Sequence, residues 1–200
     1  MSGGLCIFNK NRPAGTPYDM LQLLFEPFPE LHGNRVLLRA LARADAPRLA
    51  ILRSDASVNQ YLGRPEKTSV EEAEAFADRI AEAVQNNQSI YWVIELKTEP
   101  GLIGTICLWN LQHDPEQAEI GYEMMPACQG KGLMQEAIEL VIGYAFDTMG
   151  VKKITALPVE ANSRSIRVLQ RNHFLPDESL RTEPEPGDPP FAFYSLTKNY

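Results

Sequence analysis

The chain of 200 residues holds only three cysteines, Cys6, Cys107 and Cys128, and they stand far apart. That spacing supplies neither a disulfide framework nor a zinc site. The three histidines, His32, His113 and His173, have no partner at metal-ligand spacing, so no metal is expected. No apolar run approaches the roughly 20 residues that a membrane helix needs. The N-terminus lacks a basic segment leading into an apolar core, so it is not expected to act as a signal peptide. With free thiols this gives a cytoplasmic expectation. Positive charge is scarce as well: 19 Lys and Arg stand against 26 Asp and Glu, for a net charge of −7. General nucleic-acid binding needs a basic surface and is disfavoured, whereas a cationic partner such as an amine is compatible. Internal repeats and low-complexity domains are absent.

What is present suits one globular domain: 44% apolar and 22% charged residues. Residues 1–33 read as an N-terminal extension, because Gly3, Gly4, Pro13, Gly15, Pro17, Pro27, Pro29 and Gly33 break every regular pattern. Within it, residues 20–25 are apolar enough to pack, and Met20 is a second candidate for the start of translation. The domain proper is expected over 34–200. A strand is expected at 34–40, then a short helix capped by Asp45 through Leu52, and a second short helical piece at 54–62. Ser69 and Glu72 form a capping-box pattern that opens a longer helix to Gln85, with Ala73, Phe76, Ile80 and Val84 on one face. Residues 90–96 and 102–111 read as a hairpin, followed by a strand at 117–125. After a helix from Leu133 come a strand at 152–159 and a helix capped by Asn162 through Arg171. Strands are then expected at 174–180 and 191–196, around a loop at 182–190 rich in proline and acid. The order is α/β around one central sheet.

The chemistry centres on residues 118–137, which read as strand, glycine-bearing turn and helix. Leu133, Ala137, Leu140, Val141, Tyr144 and Ala145 recur on one helical face, and Gly150 is a stop signal. In the turn Gln129-Gly130-Lys131-Gly132, two glycines permit a close backbone approach. The helix behind it presents unpartnered N–H groups and the positive end of its dipole. Together they suit a phosphate or pyrophosphate. A P-loop needs Gly at the position of Met125 and Ser or Thr after Lys131, where Gly132 stands. A dinucleotide fingerprint needs Gly where Gln135 stands. Both readings fail, and an ordinary strand-to-helix turn remains an alternative.

The turn Gln129-Gly130-Lys131-Gly132 is similar to the acyl-CoA turn of the GNAT superfamily of N-acetyltransferases, although Met134 replaces its usual Gly or Ala. Three further stretches recur at the family's spacing, and the first and last of them resemble the Rim-type branch, which acetylates ribosomal-protein N-termini. These are residues 34–39, where Gly33-Asn34 replaces the usual Thr-Glu; residues 102–106; and Asn162-Ser163-Arg164-Ser165 with Asn172-His173-Phe174, where His173 replaces a Gly. The resemblance covers residues 34–198. It implies a GNAT fold, with a central mixed, mostly antiparallel sheet flanked by helices and the strands at 117–125 and 152–159 splayed at an acetyl-CoA cleft.

It also implies roles. Backbone groups at Met124 and Met125 would meet the pantetheine, and one N–H there would serve the thioester oxygen. Gln129, Gly130, Lys131, Gly132, Leu133 and Met134 would hold the pyrophosphate, with Lys131 equally readable as a solvated surface lysine. Asn162 would contact pantetheine, or simply cap its helix. Glu119 is the candidate base, against the alternative of a solvent-facing carboxylate. Glu123 shares its face by the period of two and is the weaker candidate. Tyr122 points the other way and is expected to pack. Ser165 is the candidate donor to the departing thiolate, although a Ser hydroxyl is a poor acid. Trp92 and Trp109 suit core or substrate-wall positions. Cys128 has no His neighbour to make it a nucleophile.

Transfer of acetyl from acetyl-CoA to a protein N-terminal α-amine is therefore the expected activity. A small-molecule amine (polyamine, aminoglycoside or amino acid) and a non-catalytic acyl-CoA-binding module are the alternatives. The acceptor wall would come from 54–66 and 182–190. The family allows a homodimer, but no self-complementary patch is legible.

Overall fold

The computed structural model describes residues 21–181, 187 and 189–198. Among them eight strands make one sheet, in the spatial order β1-β2-β3-β4-β5-β6-β8-β7. The strands are β1 (Leu31–His32), β2 (Val36–Ala40), β3 (Ile90–Leu96), β4 (Glu99–Gln112), β5 (Gln117–Met124), β6 (Lys153–Ala156), β7 (Leu175–Pro176) and β8 (Tyr194–Thr197). The helices are α1 (Ala46–Arg53), α2 (Ala56–Asn59), α3 (Val70–Gln85), α4 (Leu133–Gly143) and α5 (Ser163–Arg171). Every pairing is antiparallel except β5 with β6. The sheet is thus mixed and mostly antiparallel, in an α/β fold.

Alternation along the strands sorts two cores onto the two faces. In β3, Trp92 and Ile94 join Ile106, Leu108, Ile120 and the α4 residues Leu133, Ala137, Ile138 and Val141. Val93 points the other way, with Leu102, against Ala46, Leu49 and Leu52 of α1 and Ala73 of α3. The α3 capping box forms as its sequence dictates: Glu72 N–H donates to Ser69 Oγ at 3.1 Å and Ser69 N–H to the Glu72 carboxylate at 2.7 Å. The helix begun at Leu133 ends in a π-helical turn, Tyr144–Thr148, before Gly150 takes a left-handed φ of 74°.

Several expectations change. Asp45 precedes α1, but its side chain makes no cap bond to that helix. Its carboxylate instead takes both arms of the Arg39 guanidinium at 2.8 Å and the Ala42 N–H at 2.9 Å. A charged, bidentate partner outcompetes the neutral amides of the first turn. The strand expected at 174–180 is only β7, followed by a short 3-10 turn at Glu178–Leu180.

The stretch 21–33 is not a loose appendage. Leu21 and Phe25 are buried in the main core. Phe28 meets the edge of Trp92, and the Trp92 indole N–H donates to Pro29 O at 2.8 Å. Prolines remove regular hydrogen bonding without preventing burial of the apolar side chains between them. Met20, the second candidate for the start of translation, and most of the 182–190 loop lie outside the described residues.

Candidate active site

The site begins where two strands part. β5 and β6 pair at Gln117, Ala118 and Glu119 with Lys153, Ile154 and Thr155, and no pair continues beyond Glu119–Thr155. On its other edge β5 stays registered with β4 as far as Met124. Met125 N–H donates to Ile103 O at 2.9 Å on the β4 side. The alternation of an antiparallel ladder therefore turns the backbone groups of Tyr122 and Met124 toward the gap. Met125 offers neither group, since its carbonyl accepts from Cys128 N–H at 2.8 Å. Of the two methionines expected to meet pantetheine, Met124 keeps its N–H toward the gap, while its carbonyl accepts from the Gln129 side chain at 2.8 Å.

The gap opens into a cleft of about 740 Å³ between the 57–62 segment, the end of β5, the 128–135 turn and α5. At its top, Gly130 and Gly132 take left-handed φ values of 74° and 75°. A side chain is strained in that region, which explains the two glycines of the turn. Gly132 ends the turn and Leu133 starts α4; the first bond back to the turn is Glu136 N–H to Gly132 O at 3.2 Å. The N–H groups of Leu133, Met134 and Gln135 have no intrahelical partner and carry the positive end of the helix dipole. All three residues line the cleft, as do Gln129, Gly130 and Gly132. Lys131 does not line it; its backbone carbonyl faces Arg35.

Arg35 is a residue that the sequence reading passed over as part of the site. Its Nη1 donates to Lys131 O at 2.8 Å and its Nε to Glu136 at 2.9 Å. Glu136 also accepts the backbone N–H of Arg35 at 2.7 Å. One ion pair thus ties the glycine turn and the first turn of α4 to the start of β2. Gln129 makes a second tie: its amide donates to Met124 O at 2.8 Å and accepts from Arg164 at 3.0 Å. It spans the mouth from β5 to α5.

The two faces of β5 reach different neighbours. On the α1–α3 side, Glu123 forms an ion pair with Arg64 at 2.5 Å. Arg64 in turn donates to Asn59 Oδ1 at 2.7 Å, which pins the 59–64 segment over the cleft. Glu123 is therefore already occupied by a guanidinium. Glu119, on the same face, is buried enough to push its carboxyl up to about 7, with only the Asn110 side chain donating to its charged form. It stands at the last β5–β6 pair and is not among the residues that line the cleft, the first of which on β5 is Tyr122. On the α4–α5 side, Tyr122 does more than pack. Its hydroxyl lies 2.8 Å from Ser165 Oγ, and both residues line the cleft. Asn162 caps α5 by accepting Ser165 N–H at 3.1 Å, and it lines the cleft too.

The structure therefore brings Met124, Gln129, Gly130, Gly132, Leu133, Met134, Asn162 and Ser165 around one cleft. It leaves Lys131, Met125 and Glu119 outside its lining. An unpartnered helix N-terminus beside a glycine turn suits a diphosphate. The gap between β5 and β6 offers a lone strand edge to an amide-bearing chain. This combination belongs to acyl-CoA-dependent transferases.

A profile of the Acetyltransferase (GNAT) domain family matches residues 35–175, and the chain belongs to that family. The uncharacterized N-acetyltransferase YoaA of Bacillus subtilis is 31% identical over 173 residues, covering 86% of this chain and 98% of that one. Among solved structures, RimL, a ribosomal alpha-N-protein acetyltransferase bound to coenzyme A, superposes with a TM-score of 0.74. It is 21% identical over 84% of this chain and 98% of that one. The Vibrio cholerae spermidine N-acetyltransferase, bound to CoA and spermine, gives a TM-score of 0.69 at 21% identity, over 82% and 95% of the two chains. The fold neighbours thus include Rim-type enzymes, and the chain is a GNAT N-acetyltransferase whose acyl donor is acetyl-CoA.

Proposed function

We propose that the chain acetylates a protein N-terminal α-amine by direct attack of the amine on acetyl-CoA. The observation that supports this acceptor is the charge of the cleft. Its described lining holds one carboxylate, Glu123, and Arg64 already neutralises it. A polyamine carries several ammonium groups that need unpaired carboxylates. A single α-amine does not, and its ordinary pKa of roughly 8 makes it easier to deprotonate than an alkyl amine near roughly 10. A small cationic amine is the second reading, favoured by the likeness to the spermidine enzyme.

Acetyl-CoA is the donor substrate. The Leu133, Met134 and Gln135 N–H groups and the Gly130–Gly132 turn would take its pyrophosphate, and Asn162 and the Tyr122 and Met124 backbone its pantetheine. Glu119, with its carboxyl near 7, receives the amine proton through water reaching the splay point. Ser165 donates a hydrogen bond to the departing sulfur. The test is release of CoA thiol from acetyl-CoA against peptides with free N-termini, polyamines and aminoglycosides. Turnover confined to peptides supports the first reading, turnover confined to polyamines the second. CoA binding without turnover on any amine returns the non-catalytic module.

A further inference from the structure

Ser165 by itself is a poor partner for a leaving thiolate. A hydroxyl carries one proton and rotates to whatever acceptor is nearest. A useful donor needs that proton aimed. Among the described residues the Ser165 hydroxyl has one protein partner, the Tyr122 hydroxyl at 2.8 Å. Asn162 holds the Ser165 backbone in the first turn of α5. The Tyr122 ring is carried by β5, whose main chain is locked to β4 through Cys107–Gly121 and Thr105–Glu123 on either side. The pair thus joins the sheet to α5 across the cleft, between two independently fixed elements.

The Tyr122 hydroxyl also lies 3.4 Å from the Ser165 carbonyl oxygen, a longer and weaker acceptor, and two arrangements fit the shorter hydroxyl–hydroxyl distance. If Ser165 donates to Tyr122, only lone pairs of Ser165 remain for the cleft, and they repel a sulfur gaining charge. If Tyr122 donates to Ser165 Oγ, the Ser165 proton is free for the sulfur. An anionic sulfur selects the second. Tyr122 can also serve this way throughout the neutral range, because burial holds its phenol up at about 12 and so keeps it protonated.

We propose that Tyr122 is a positioning residue for acetyl transfer: its O–H donates to Ser165 Oγ and turns the Ser165 proton toward the departing sulfur. This rests on the reading of Ser165 given above. The chemistry balances without moving the tyrosine proton. The amine lone pair forms the N–C bond as the carbonyl π pair moves to oxygen. That pair returns, the C–S bond breaks, and its electrons go to sulfur, which accepts the Ser165 hydrogen bond. The proton lost from nitrogen passes to Glu119 and solvent, and solvent protonates the thiolate. Amine and acetyl-CoA become amide and CoA thiol.

The experiment compares Tyr122→Phe, Ser165→Ala and the double variant in kcat, KM for acetyl-CoA and melting temperature. The phenylalanine keeps the ring and removes only the hydroxyl. Expected is a kcat about tenfold lower in each single variant, the size of one charge-assisted hydrogen bond. KM should stay within about twofold, and the tyrosine change should have almost no further effect once Ser165 is alanine. Multiplying effects in the double variant, a Tyr122→Phe enzyme with full kcat, or a loss confined to KM and melting temperature overturns the inference while leaving Ser165 in place. A Ser165→Ala enzyme with full kcat overturns the reading of Ser165 and this inference with it.

Discussion

Glu119 is where burial and chemistry conflict at the scale of a single residue. A carboxylate on a strand inside the sheet pays for desolvation, and its pKa rises from 4.5 to about 7. As a base it works only when ionised, so kcat/KM should rise with pH and level off above about 7. Glu119→Gln should lose activity by roughly 10²-fold or more and lose that inflection. The stability effect has the opposite sign. Between 4.5 and about 7 the folded chain holds the Glu119 proton and the unfolded chain does not, so its contribution to stability falls as pH rises through that window. Glu119→Gln should therefore melt higher than the wild type at pH 8, with the difference disappearing at pH 4. Thermal melts at both values check this. Sequence alone marked Glu119, because a carboxylate on the strand before an acyl-CoA turn has a place in the family. It could not mark the Tyr122–Ser165 pair. A period of two says that Tyr122 and Glu119 face opposite ways, but not that the strand has lost its neighbour there. Glu123 was likewise legible only as a carboxylate, since Arg64 lies 59 residues away in sequence.

The element on which the site depends is the turn with the start of α4. Its two glycines and the apolar stripe of the helix were legible because each is a local rule: left-handed φ, and a 3.6-residue period. Gly132→Ala forces an alanine into a φ of 75°, at a cost of about 1–2 kcal/mol. It should raise KM for acetyl-CoA more than it lowers kcat. Arg35→Ala removes the tie between the turn, Glu136 and β2. It should weaken CoA binding several-fold by isothermal calorimetry, although Arg35 is not among the residues lining the cleft. Neither Arg35–Glu136, 101 residues apart, nor the Gln129 bridge to Arg164 has a sequence signature. Long-range ion pairs are set by which strands lie side by side.

Across the whole molecule, one sheet with helices on both faces lets the cleft be reached from two sides. The α1–α3 side carries Glu119, Glu123 and the 57–62 wall; the α4–α5 side carries the glycine turn and Ser165. The strand and helix order was legible almost throughout. The packing of residues 20–25 was legible from their apolar run, but that of Phe28 and Leu31 was not, because proline and glycine hide burial from any periodicity. Phe25 is 2% exposed and sits in the main core. Phe25→Ala should cost roughly 3–5 kcal/mol in urea unfolding, as for a core aromatic. A loss below 1 kcal/mol would return that stretch to an appendage.

The proposed reaction is acetyl transfer from acetyl-CoA, through Glu119 and Ser165, to an α-amine. The most direct test is CoA thiol release with peptides bearing free N-termini, run beside polyamines, for wild type, Glu119→Gln and Ser165→Ala. Expected are turnover on peptides, weak or none on polyamines, and a loss in both variants with acetyl-CoA binding retained. Undiminished turnover in both variants, or turnover on polyamines alone, would contradict it.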